Sequence, residues 1–137
     1  MYKGGSIDLA DLMMEKGYKA GDAYTNSKLA NILNTIELAK RTRGKGVTVN
    51  AMHPGVLATN VFRDYPTWIM KTVNLFLEKP EKGGERIAYL AISDEVKEIT
   101  GSYFYKTEKR EFKISDQELS KSEKLRQIAE DLTELGN

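Results

Sequence analysis

The chain has 137 residues, a formal net charge of +1 and 30% charged residues, which suits at most one ordinary globular domain. The balanced charge argues against a nucleic-acid partner. No cysteine and only one histidine, His53, are present, which excludes disulfides, thiolate catalysis and a multi-histidine metal site within one chain. No apolar run is long enough to span a bilayer, and the first residues lack the apolar stretch of a signal peptide, so we expect the cytoplasmic side.

The N-terminal part of the chain changes from turns to a long helix. Residues 1–22 are rich in glycine and predict a loop with one helical turn at most. Helical spacing of apolar residues then predicts an amphipathic helix over about 23–43, with Asp22 as its N-cap. Gly44 and Gly46 supply the stop. The predicted apolar stripe consists of Leu29, Ile32, Leu33, Ile36 and Ala39.

A predicted strand follows the helix directly. Residues 47–52 are rich in β-branched side chains and end at Pro54-Gly55, which is typical of a buried strand. A long helix, a short turn and a strand form the back half of a βαβ unit, and residues 1–22 offer no partner strand. After a loop, residues 67–77 predict a short amphipathic helix.

The C-terminal half contains two more helices and one more strand. Residues 80–92 predict a helix, residues 102–105 an aromatic strand, and 106–113 a solvated turn. Ser115 to Glu118 has the form of a capping box, after which a final helix runs to Gly136. About four helices and two clear strands predict an α/β protein whose parallel sheet is incomplete.

The first turns of the long helix carry a reactive pair. Tyr24 and Lys28 are four residues apart and therefore lie on one face. A positive charge beside a phenol favours the phenolate, so that the oxygen can exchange a proton with an alcohol or carbonyl oxygen. The spacing alone is common in helices and is also compatible with a purely structural role.

The residues around this pair resemble the short-chain dehydrogenases/reductases. Tyr24–Asn31 is similar to the family's active-site helix with its Tyr-x-x-x-Lys signature, and residues 47–59 to its sixth strand, Pro-Gly turn and threonine. Residues 100–104 look like the seventh strand, and Gly83–Glu85 lies where the family has the helix between those two strands. The sequences of residues 27–31 (SKLAN) and 53–56 (HPGV) most resemble those of the retinol dehydrogenase-like and WW domain-containing oxidoreductase-like branch.

The resemblance implies a role for each matching residue. Tyr24 would be the general acid/base, and Lys28 would hold the nicotinamide ribose. Pro54, Gly55 and Val56 would pass beside the nicotinamide, and Thr59 would bind its carboxamide or a phosphate. Residues 60–80 would form a substrate lid in which Trp68, Phe76 and Leu77 line the cleft. A contact between these side chains and a membrane is a weaker alternative.

Other family motifs have no counterpart in these 137 residues. The glycine-rich Thr-Gly-x-x-x-Gly-x-Gly turn, the Asn-Ala-Gly segment and the strand with the catalytic serine are absent, and Ser6 is a poor substitute for that serine. We therefore expect a single partial domain over 1–137, the C-terminal part of a doubly wound Rossmann-type sheet. In that expectation residues 1–22 are the loop after the missing strand and residues 115–136 the last helix.

The resemblance implies an NAD(P)-dependent oxidoreductase acting on an alcohol/carbonyl pair, with retinol or another lipophilic molecule as substrate. The branch favours NADP. The 137 residues alone are expected to be inactive, because the dinucleotide-binding half is missing from them. The alternative is a non-catalytic short form that pairs with full-length subunits, and homo-oligomers are also left open. In either case we expect the 47–52 strand to have a bare edge.

Overall fold

The computed structural model describes residues 5–58 and 77–133. These ranges form helices packed beside a small mixed sheet. Thr59, residues 67–76 of the predicted 67–77 helix and nearly all of the predicted lid lie outside the described residues, and Leu77 is described but not helical. In chain order the elements are α1 (Ala20–Arg41), β1 (Ala51–His53), α2 (Pro80–Ile92), β2 (Tyr103–Tyr105), β3 (Glu108–Arg110), α3 (Asp116–Leu119) and α4 (Ser122–Thr133).

Helix α1 is the predicted long helix, but it begins earlier than the sequence indicated. Lys19 takes the N-cap position and makes no side-chain cap, so the assignment of Asp22 as N-cap was wrong. Asp22 instead lies in the first turn, where a carboxylate suits the positive end of the helix dipole. The predicted stop is confirmed, because Gly44 and Gly46 both have positive φ angles of 77° and 70°.

The two predicted strands are adjacent and parallel, as expected. Ala51 pairs with Tyr103 and His53 with Tyr105, and β1 lies at one edge of the described sheet. Pairing starts before β1 itself, since the Asn50 side chain donates to Ile99 O (2.6 Å) and accepts from Ser102 N (3.1 Å). Backbone bonds from Gly101 N to Val49 O (2.7 Å) and from Ala51 N to Ser102 O (3.0 Å) lie on either side of Asn50, but the regular strand covers only 51–53 and not the predicted 47–52.

The segment predicted as a solvated turn contains a third strand. Residues Glu108–Arg110 pair antiparallel with β2, with Tyr103 opposite Arg110. All three residues of β3 are exposed, so the strand is stabilised by its backbone ladder and carries no apolar face. Lys106 makes the tight turn between β2 and β3 with a φ of 60°.

The last predicted helix is broken in two. The Ser115 hydroxyl accepts from Glu118 N at 3.2 Å, as a capping box requires. The Glu118 side chain, however, does not accept from Ser115 N, which would complete the capping box. Its carboxylate accepts from Ser6 Oγ (2.9 Å), Ile7 N (3.0 Å) and Lys121 Nζ (2.7 Å). The regular helix is interrupted at 120–121, beside the residues that bind the N-terminal segment.

The main apolar core lies between α1, α4 and the N-terminal segment. Its buried members are Ile7, Leu29, Leu33 and Leu125, and Leu33 is fully buried. Leu9, Leu12, Ala30 and Ile114 pack around them. Leu29 and Leu33 of the predicted apolar stripe thus lie in this core, while Ile32 and Ala39 are buried elsewhere and Ile36 is half-buried. Across residues 5–58 and 77–133, no helix is long and apolar enough to cross a bilayer.

Candidate active site

Tyr24 and Lys28 lie together on the exposed face of α1. The Lys28 ammonium is over the Tyr24 ring, 5.1 Å from the ring centroid. The Tyr24 side chain is 66% exposed, so its phenol is accessible to a substrate. A rigid helical backbone sets the spacing of the two groups. The structure therefore brings the predicted proton-transfer residue and its predicted cationic neighbour to one surface.

Helix α1 runs antiparallel to the strands, which puts this pair at their carboxyl ends. Near the end of α1, Ala39 packs against Gly101, just before β2. Near its start, Lys28 carries a positive charge that contributes to lowering the pKa of His53, the last residue of β1. Ligand sites of open α/β sheets lie outside the carboxyl ends of the strands. Tyr24 and Lys28 thus lie at the edge of the described sheet where such sites occur.

The predicted cofactor-facing turn begins at the same edge. Gly55 is buried and has a φ of 94°, a conformation that favours glycine. Its N–H donates to His53 Nδ1 at 3.0 Å, so the neutral His53 ring carries its proton on Nε2. The interpretation of His53 as a residue that shapes this turn is confirmed. Val56 follows with a side chain that is 52% exposed.

The environment of His53 favours its neutral form. Burial lowers the pKa of His53, and the positive charge of Lys28 lowers it further. The Tyr105 ring lies 5.5 Å away between ring centroids. A neutral His53 is required for the bond from Gly55, because protonation of Nδ1 would remove the acceptor.

This pKa direction predicts a pH dependence of stability. The folded protein binds the proton on His53 less readily than the unfolded chain does. Its contribution to stability is therefore complete above the unfolded pKa of about 6.5 and is lost as pH falls through the lowered folded value. Between pH 7.5 and pH 5, we expect the Tm of His53→Asn to fall by less than the Tm of the parent. The amide oxygen of the introduced asparagine can accept the bond in place of Nδ1, and it does not titrate. Equal pH profiles of Tm would contradict the assignment.

A cluster of charges that the sequence analysis missed encloses the turn. The Glu78 carboxylate accepts from Arg86 Nη1 (2.6 Å), Arg86 Nη2 (2.9 Å) and Lys106 Nζ (2.9 Å). Hydrogen bonds from Arg86, and next from Lys106, lower the pKa of Glu78 to about 2. Arg86 also donates to Pro54 O. In the sequence, the only signal for this cluster is that Glu78 and Arg86 are eight residues apart, one on each side of Pro80.

The remaining predicted residues fall into three groups. Pro54, Gly55 and Val56 lie at the carboxyl end of β1, with Tyr24 and Lys28 at the start of the adjacent helix. Thr59 is outside the described residues. Ser6 does not join the site, since its hydroxyl donates to Glu118 and its N–H to Asn26 Oδ1 at 3.1 Å.

The polar groups at this edge are accessible to a ligand. In the described ranges, no group of three or more histidine, aspartate or glutamate side chains could hold a metal ion. Lys28 and Tyr24 are both exposed, so the ammonium and the phenol hydroxyl are accessible to a ligand. The exposed Val56 side chain offers an apolar contact for a flat ring.

Three curated relatives have similar sequences. Human retinol dehydrogenase 14 is 39% identical over 136 residues, which cover 95% of this chain and 40% of that protein. Mouse retinol dehydrogenase 11 is 39% identical over 102 residues, 73% of this chain and 32% of that protein. Human retinol dehydrogenase 13 is 38% identical over 109 residues, which cover 73% of this chain and 33% of that protein. No protein-family model matches the chain.

The fold is an α/β fold with an incomplete Rossmann-like sheet, whose parallel strands end beside a Tyr–Lys helix. The chain belongs to the short-chain dehydrogenases/reductases, in the retinol dehydrogenase-like branch. It spans about two fifths of the length of retinol dehydrogenase 14.

Proposed function

We propose that the protein carrying this chain is an NAD(P)-dependent oxidoreductase that interconverts a lipophilic alcohol and its carbonyl compound. The observation that supports this most is the Tyr24–Lys28 pair, exposed at the carboxyl ends of the parallel strands. The relatives named retinol dehydrogenases support the substrate class, since retinol is a lipophilic alcohol. The branch resemblance is the basis for proposing NADP over NAD.

In the direction of carbonyl reduction, the Tyr24 hydroxyl donates its proton to the substrate oxygen. A bound nicotinamide dinucleotide supplies the hydride for the carbonyl carbon, or accepts it in the reverse direction. Lys28 holds the ribose hydroxyls and provides positive charge beside the phenol oxygen as it becomes negative. Pro54, Gly55 and Val56 line the side of the site next to the nicotinamide ring.

The experiment uses the complete protein that carries this chain, purified and assayed with retinal and either NADPH or NADH. We expect oxidation of NADPH that depends on retinal and is faster than with NADH. The 137-residue chain alone serves as a control and should show no activity, because it lacks the glycine-rich dinucleotide turn. No retinal-dependent oxidation of either cofactor by the complete protein would contradict the proposal for this substrate.

A non-catalytic role as a pairing partner is the second candidate. The edge of β1 has no strand beside it in the described part of the chain, and such edges accept strands from other chains. Light scattering of the 137-residue chain mixed with a full-length subunit tests it. A stable mixed species with unchanged dehydrogenase activity would favour pairing, and separate species would contradict it.

A further inference from the structure

The Glu78 cluster connects the start of α2 with the turn between β2 and β3, two segments that are distant in sequence. Glu78 precedes α2, Arg86 lies in its middle and Lys106 forms the turn between β2 and β3. The Arg86 side chain is only 12% exposed, and that of Glu78 is 33% exposed. A two-pronged guanidinium–carboxylate contact with this little solvent is directional as well as strong.

The cluster also holds the turn after β1 through its backbone. Arg86 donates to Pro54 O, while Glu78 N donates to Val56 O (3.0 Å) and Glu78 O accepts from Ala58 N (2.9 Å). On one side of Gly55, Pro54 is therefore bonded to the Arg86 side chain. On the other side, Val56 and Ala58 are bonded to the backbone of Glu78. Arg86 and Glu78 are the shared partners of all these contacts.

Gly55 shows how closely the cluster approaches the turn. A Cβ atom at Gly55 would lie 2.6 Å from Glu78 Oε2 and 2.9 Å from Arg86 Nη1. Both atoms are the far ends of side chains, so a side chain at position 55 would displace the Glu78–Arg86 pair from the turn. On the far side, Gly83 of α2 lies directly against the Leu57 side chain. The helix and the turn are thus packed as one unit.

We propose that Arg86 and Glu78 are positioning residues that set the distance between the turn at 54–56 and the reacting groups. This inference depends on the proposed function, because only the proposed function places the 54–56 turn beside the cofactor. The pair acts through Pro54 and Val56 and does not touch the substrate. Loss of the pair should misalign hydride transfer, for which displacements of about 1 Å can cost up to 100-fold in rate.

The test compares Arg86→Met, Arg86→Lys and Glu78→Gln in the complete protein. Lys82→Met is the matched control, because Lys82 forms an exposed ion pair with Glu85 (2.7 Å) on the same helix. We expect kcat/KM for NADPH to fall about 10- to 100-fold in Arg86→Met, with a higher KM for NADPH. Arg86→Lys should recover part of the loss, and Lys82→Met should match the parent.

Two further readouts separate positioning from simple loss of folded enzyme. The kinetic isotope effect with NADPH deuterated at the transferred position should increase in Arg86→Met, since hydride transfer itself is slowed. A smaller fraction of folded enzyme would lower kcat and leave both the isotope effect and the KM unchanged. Amide hydrogen exchange at 56–58 should accelerate in Arg86→Met and Glu78→Gln, with no change in Lys82→Met.

The outcomes distinguish the two proposals. An active parent whose Arg86 and Glu78 variants keep the parental KM and isotope effect would overturn this inference alone. A parent without retinal-dependent oxidation would overturn the proposed function for that substrate and with it the purpose assigned to the pair. If Arg86→Met does not fold, the Glu78→Gln and Arg86→Lys variants decide the matter by the same measurements.

Discussion

Replacing Tyr24 by phenylalanine is expected to lower kcat by about 100- to 10,000-fold in the complete protein. The change removes one oxygen atom, the one that we propose to exchange a proton with the substrate. The side chain is 66% exposed and belongs to no buried cluster, so folding should be unaffected. The ring itself remains, which preserves its contact with the Lys28 ammonium. NADPH titrations should therefore give nearly the parental Kd.

Lys28→Ala is the contrasting variant. Lys28 is proposed to hold the ribose and to provide charge beside the phenol, so its loss should weaken NADPH binding and lower kcat together. Tyr18→Phe is the control, because Tyr18 is 70% exposed just before α1 and has no assigned role. An unchanged NADPH Kd in Lys28→Ala would contradict the role of Lys28. A parental kcat in Tyr24→Phe would contradict that of Tyr24.

The sequence predicts the elements whose pattern reflects their own packing. Helix α2 has the predicted bounds, since Pro80 starts it and the chain turns extended at Ser93. Helix α1 was predicted from a stripe that does form the core. Strand β3 was missed because three charged residues on an exposed strand show no alternation. Only its pairing with β2 makes it a strand.

Side-chain interactions between distant segments account for the other differences. The break before α4 coincides with the place where Glu118 and Lys121 bind the backbone of Ile7, more than 100 residues away in sequence. Lys106 contacts Glu78 only because the β2–β3 turn folds over the start of α2. By contrast, the Tyr24–Lys28 contact arises within one helix and could be predicted from spacing alone.

The largest effect on stability is expected from truncating Leu33 to alanine. Leu33 is fully buried among Ile7, Leu29 and Leu125. Removing its terminal carbons leaves a cavity between α1, α4 and the N-terminal segment, and such changes cost about 2–5 kcal/mol of unfolding free energy. Single domains are stable by about 5–15 kcal/mol in total, so this loss is a large fraction.

Leu132→Ala is the matched control, because the same truncation on α4 affects a side chain that is 62% exposed. Its effect should stay within about 0.5 kcal/mol. Urea denaturation of the complete protein, followed by far-UV circular dichroism, measures both variants. The folded fraction of Leu33→Ala should keep the parental KM for NADPH, since Leu33 lies more than two turns from Tyr24 on α1. Equal midpoints for the two variants would contradict the packing of α1 against α4, the contact by which the helix carrying Tyr24 is held in place.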